Sequence, residues 1–327
     1  MSKWLTIFVT AALLSSCAKD RIEFVPDPGQ QLDSVWVNTI NDENKISELI
    51  KSFSLPALIT DSTTLSNDTT FIHKEKFDII IPPGALKSST TANLSGRINY
   101  SFFLLQKKGD FIKLQQSTIN ADKNALYTGG NFFLRFSRDN EALTIVPGKI
   151  VIVRFNDPQP MQDMKVFYGS EELNPTTPVN VCSGWAAANS AAYVKPVQRM
   201  FNSISSYGYE VGTDKLSWIN TGAPYPYSAS SIILSVYVPD LFSNANTETY
   251  LVLKEQRCVI KLSGEAGTRK FSAPNIPSGK PAIVVTVSKV SEDYFLGTTE
   301  IITSDKPVEV KPAHSSLDHI LDYLNSL

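Results

Sequence analysis

Phe77-Asp78-Ile79-Ile80-Ile81-Pro82-Pro83-Gly84-Ala85-Leu86 sets the reading of this chain. Alternation sends Ile79 and Ile81 to one face of a strand. Pro82-Pro83-Gly84 then stops the strand and reverses it, because proline fixes φ and glycine accepts the turn. The same period of two recurs further along. Ile98, Tyr100, Phe102 and Leu104 alternate with Asn99, Ser101, Phe103 and Leu105, and Phe132, Leu134 and Phe136 alternate with Phe133, Arg135 and Ser137. Ile150 to Phe155 is a nearly continuous apolar run. Gly109-Asp110, Gly129-Gly130, Asp139-Asn140 and Pro147-Gly148 punctuate these strands at the short intervals of an antiparallel sandwich. Ile79, Ile81, Phe102, Leu134 and Ile152 are its expected core.

The alternation breaks between Asn174 and Asn189 and then resumes. Ile232, Leu234, Val236 and Val238 share a face; Tyr250 to Leu253 and Cys258 to Leu262 flank a polar turn; Ala282 to Val287 is strongly β-branched. Ile46, Leu49, Ile50 and Phe53 lie on one helical face, and Leu317, Ile320, Leu321 and Leu324 give a terminal helix with Ser315 or Ser316 as cap. Thr60 to Thr70 is almost wholly polar and is expected as an exposed loop. The expected fold is all-β: two antiparallel β-sandwich modules with a short N-terminal helix and a C-terminal helix. The helix and polar loop occupy 41–70, the sandwiches 71–180 and 181–312, and the last helix 313–327.

The Phe77–Leu86 stretch resembles the signature strand and turn of the β-sandwich domain shared by tight-junction scaffolds, netrin receptors and ankyrins. Leu126-Tyr127-Thr128-Gly129-Gly130 with Phe132 is similar to the continuation of that domain in exported Bacteroidota lipoproteins. There a second module often opens on a Gly-Trp-Ile-Asn-like motif, matched here by Ser217-Trp218-Ile219-Asn220. The resemblance implies a role in interaction and carries over no catalytic residue.

Lys3 precedes the apolar run Trp4 to Leu14, which is too short to span a bilayer comfortably and so is expected to be a secretory signal. Leu14-Ser15-Ser16-Cys17 resembles the lipobox of bacterial lipoproteins, in which the cysteine is acylated and becomes the mature N-terminus. Residues 1–16 are therefore expected as signal peptide and 17–40 as tether, with Cys17 the lipidation site. Lys19-Asp20 resembles the charged signal that sends Bacteroidota lipoproteins to the cell exterior, giving an outer-membrane, surface-facing expectation. Asp33-Ser34-Val35, Asp61-Ser62-Thr63 and Asp68-Thr69-Thr70 resemble acid-hydroxyl-aliphatic O-glycosylation sites.

With a net charge of -2 the chain offers no basic field, so nucleic acid is not an expected partner. The expected partners are the membrane, through the acyl chains, and an envelope protein or a glycan. His73, His314 and His319 fall in no ligand pattern, and neither a nucleophile elbow nor a phosphate loop is present; no metal or cofactor is expected. Cys182 and Cys258 either pair in an oxidising compartment or stay separate thiols. Asp157, Asp163 and Glu171-Glu172 are either solvated or an acid and base pair. Either Tyr207, Tyr209, Trp218, Tyr225 and Tyr227 present flat rings to a ligand, or Trp218 anchors the second core and the tyrosines lie with one apolar side buried and the hydroxyl in water. The expected protein is a lipid-anchored, non-enzymatic binding or structural component of a surface assembly. The alternative is a surface protein that binds or hydrolyses glycan.

Overall fold

A computed structural model of the chain describes residues 34–53, 55, 57–91, 94–172, 181–188, 191–225 and 230–327, with backbone alone at 171–172 and 181–183. Cys17, Tyr227 and most of the tether lie outside these residues. The fold is all-β. Fourteen strands make the first sandwich: β1 (Ile59–Leu65), β2 (Thr70–His73), β3 (Phe77–Ile81), β4 (Leu86–Lys87), β5 (Gly96–Leu105), β6 (Leu126–Arg138), β7 (Glu141–Ala142), β8 (Thr144–Ile145), β9 (Val151–Asn156), β10 (Lys165–Glu172), β11 (Val181–Ala187), β12 (Tyr193–Phe201), β13 (Ile204–Thr213) and β14 (Ser217–Pro224). One sheet runs β1-β5-β6-β14-β10-β11 with β7 beside β6; the facing sheet runs β12-β13-β9-β3-β2, and β4 pairs with β8. Ile79 and Ile81 meet Phe102, Phe132, Leu134, Val153, Phe155 and Tyr209 in the core between them. Ile152 differs from expectation. It is half-buried on the outer face, while Val151 and Val153 point inward.

The second sandwich comprises β15 (Ser231–Tyr237), β16 (Thr247–Leu253), β17 (Cys258–Glu265), β18 (Lys270–Pro277), β19 (Pro281–Val290), β20 (Asp293–Ile302), β21 (Val308–Glu309) and β22 (Ala313–Ser315). It is one sheet, ordered β21-β15-β18-β17-β16-β19-β20-β22, that folds back on itself. Strand β17 makes the corner, since residues 258–262 pair with β16 and residues 263–265 with β18. Leu234, Phe271 and Ala273 thereby cover Leu251, Ile260 and Val284.

The expected boundary near residue 180 falls inside the first sandwich. Strand β14, which carries Trp218-Ile219-Asn220, pairs with β6 on one side and β10 on the other, so this motif closes the first sandwich instead of opening the second. The polar stretch expected as a loop also forms a strand. Strand β1 pairs with β5 from Ile59 to Leu65 as a sheet edge, where Ser and Thr face water and no apolar alternation is needed. The distal end of the expected tether is bound as well: Asn244 accepts from the Val37 amide (2.9 Å) and donates to its carbonyl (2.7 Å), and Trp36 packs on Phe271 at 5.0 Å.

Helices α1 (Lys45–Ser52), α2 (Lys108–Lys113) and α3 (Leu317–Ser326) sit around the seam between the sandwiches. Ser316 caps α3 by accepting from the His319 amide at 3.1 Å. A second face of the first sandwich, with Phe103, Leu105, Phe133 and Trp218, packs there against Tyr250, Val252, Val259 and Val285 of the second. Residues 33–327 form one compact unit. No helix among the described residues is long and apolar enough to cross a membrane.

Candidate functional site

Strand β3 is buried along its whole length, although only Phe77, Ile79 and Ile81 face the core. The β12–β13 hairpin explains this. Strand β13 pairs with β9 only from Gly208 onward, so residues 198–207 run past the end of β9, and the hairpin reaches back to the β2–β3 turn. Its anchor is Arg199, 3% exposed, whose guanidinium donates from Nε to Asp78 Oδ2 (2.6 Å) and from Nη2 to Asp78 Oδ1 (2.9 Å). The remaining donors reach the carbonyls of Glu75 (2.6 Å), Phe77 (3.1 Å) and Lys74, and Asn156 Oδ1 (3.0 Å). Such a bidentate fork needs arginine's planar geometry. His73 Nδ1 meets Asp78 Oδ1 from the other side, and its ring packs on Phe201 at 4.9 Å.

Between hairpin and sheet lies a cleft of about 280 Å³, floored by Asp78, Ile80 and Arg154 and walled by Phe71, His73 and Met200. A row of alternating charge crosses this face of the sheet. Asp78 stands opposite Arg154, Arg154 opposite Glu210, and Glu210 opposite Lys195, each on neighbouring strands, and the His73 ring flanks Asp78. Directly opposed side chains of unlike charge attract. Glu210 takes Arg154 Nε at 2.7 Å, Lys195 Nζ at 2.9 Å and the Tyr193 hydroxyl at 2.9 Å. Burial pushes the Glu210 carboxyl up, but these partners outweigh it and hold it below the usual carboxylate range. Burial and the Glu210 charge push the Tyr193 hydroxyl up to about 12. Beside the polar floor the cleft wall is apolar and open, with Phe71 67% and Met200 55% exposed; Ile204, 70% exposed, stands apart at the hairpin tip.

The aromatic residues singled out from sequence do not assemble into a platform. Tyr209 belongs to the first core, Trp218 to the seam beside Phe103 and Phe133, and Tyr225 to the second core. Tyr209 and Trp218 point from their strands into a core, and Tyr225, just past the end of β14, enters the second core. Tyr207 alone is exposed, and Tyr227 lies outside the described residues. Cys258 is a free thiol, fully buried in the second core, and accepts from the Thr118 hydroxyl at 3.5 Å; the side chain of Cys182, its expected alternative partner, lies outside the described residues. Asp157 pairs with Arg257 at 3.2 Å across the seam. Among the described residues no three His, Cys, Asp or Glu side chains cluster as metal ligands.

Arg199 and Asp78 escaped sequence reading. The available signal was one charge, Asp78, inside an otherwise apolar strand. No family model, curated protein or solved structure matches this chain.

Proposed function

We propose that the protein is a lipid-anchored ectodomain of the cell envelope that binds a protein partner on the outer face of its five-stranded sheet. The observation carrying this reading is the pair Phe71 and Met200 standing exposed at a cleft whose floor is already fixed by Arg199 and Asp78. Exposed aromatic and methionine side chains next to arginine are the composition of protein-binding surfaces. A rigid floor also lowers the entropy lost on association. Acylation at Cys17 and export rest on the lipobox and the short apolar leader. Residues 18–33 reach no more than about 55 Å when fully extended, which tethers the ectodomain close to its lipid. Trp218, Tyr209 and Tyr225 are buried and so offer no ring face to a glycan, which favours the protein-binding reading. Asp78, the carboxylate in the cleft, is already held on both oxygens.

A photo-crosslinking residue placed at Phe71 in the native envelope tests the surface, with the same residue at the exposed Tyr237 as control. The proposal expects a discrete adduct from position 71 and none from 237. No adduct from 71, or the same pattern from both, overturns it.

A further inference from the structure

A larger cavity lies elsewhere, at the edge of the first sandwich where β1 and β5 meet the turn into β3, α2 and the end of α3. Its volume of about 470 Å³ is that of a small-molecule site. Ile59 and Leu104 give it aliphatic walls, and Phe77 and Phe102, stacked at 4.0 Å, close its floor. Its polar atoms are uneven in charge. Lys113 is neutralised by Asp110 at 2.9 Å and held by Asn325 Oδ1 at 3.0 Å, with both charges buried. The Lys76 ammonium has no hydrogen-bond or ion-pair partner among the described residues, and the Lys107 ammonium reaches only the Asn325 carbonyl at 3.4 Å. Two cations without a carboxylate thus line one apolar cavity in a chain whose net charge is -2.

We propose that this cavity binds a fatty acid, the aliphatic chain lying along Ile59, Leu104 and the phenylalanine floor and the carboxylate between Lys76 and Lys107. Apolar contact supplies affinity in proportion to the chain buried, and the lysines select the anionic head.

The full chain carrying Cys17→Ala, and so free of acyl chains, is titrated with dansyl-labelled undecanoic acid at neutral pH. Saturable binding is expected, displaced by dodecanoate and not by dodecylamine, whose head carries the opposite charge. Lys76→Glu with Lys107→Glu should weaken binding about tenfold or more while leaving the melting curve unchanged, since both side chains sit at the surface. Ala57→Trp, which fills the cavity from its lining, provides a second reading and should abolish binding. Absence of saturable binding, equal displacement by both heads, or parental affinity in the double lysine variant overturns the assignment.

Discussion

At Arg199 a guanidinium meets both oxygens of Asp78 and three main-chain carbonyls where almost no water reaches. Desolvating such a pair is costly, and the geometry here compensates because every donor finds an acceptor. Removing one partner leaves the other charged and buried. Arg199→Met should therefore cost about 3–5 kcal/mol in denaturant unfolding, whereas Arg199→Met with Asp78→Leu should recover much of the loss. A single variant as stable as the parent would refute the clasp. A second residue-scale expectation concerns protons. Burial pushes the Cys258 thiol up to about 12 from 9.0, and the Tyr168, Tyr193 and Tyr209 hydroxyls up to about 12 from 10.0. Each group is neutral when protonated and holds its proton more tightly in the folded state. Their contribution is complete below pH 9 and is lost as pH rises toward 12. Thermal melts should fall progressively across that window, and peptide mapping should find Cys258 unalkylated in native protein at pH 8. Ready alkylation there would contradict its burial.

Helices α2 and α3 touch at a glycine. A Cβ on Gly109 would overlap the Leu324 main-chain carbonyl, so the two helices approach only because residue 109 lacks a side chain. Gly109→Ala should displace the end of α3, seen as faster amide exchange at residues 320–327 with the sheets still protected. Unchanged exchange would mean that α3 tolerates the shift. How much of each element showed in the sequence follows from how it is buried. Strand β3 was legible because Ile79 and Ile81 alternate before a Pro-Pro-Gly stop, and α1 because Ile46, Leu49 and Ile50 share one face. Strand β1 was hidden, since an edge strand of Ser and Thr has the composition of a loop. Strand β14 was visible only as a motif expected to open the second module, not as a member of the first sandwich. With Ile219 in one core and Trp218 in the other, nothing local says that its partners lie at 126–134 and 165–168. The cleft was least legible of all. It gathers residues 71–80, 154 and 198–200, which only the path of the β12–β13 hairpin brings together.

Two sandwiches joined by a linker would unfold separately, but here the join is a core. Strand β5 sends Ile98, Tyr100 and Phe102 into the first sandwich and Phe103 and Leu105 into the seam, so one strand belongs to both cores. Main-chain bonds cross the seam as well: the Thr118 amide donates to Val259 at 2.7 Å and the Thr128 amide to Arg257 at 2.9 Å. Arg257 returns Nη1 to the carbonyls of Thr128 and Gly129 and to Asp157 Oδ2 at 3.2 Å. Opening the seam would expose Trp218, Tyr250 and Val285 together and strand these polar groups, so a state with one sandwich folded and the other unfolded is disfavoured. Heating should give a single calorimetric transition, with far-ultraviolet circular dichroism and tryptophan fluorescence changing together. Trp218→Ala tests the same point from inside the seam. Losing a core tryptophan costs about 3–5 kcal/mol, and because the sandwiches share that core the whole transition should move down as one. Two resolved transitions in the parent, or a Trp218→Ala profile in which only one sandwich melts earlier, would show that the seam does not couple them.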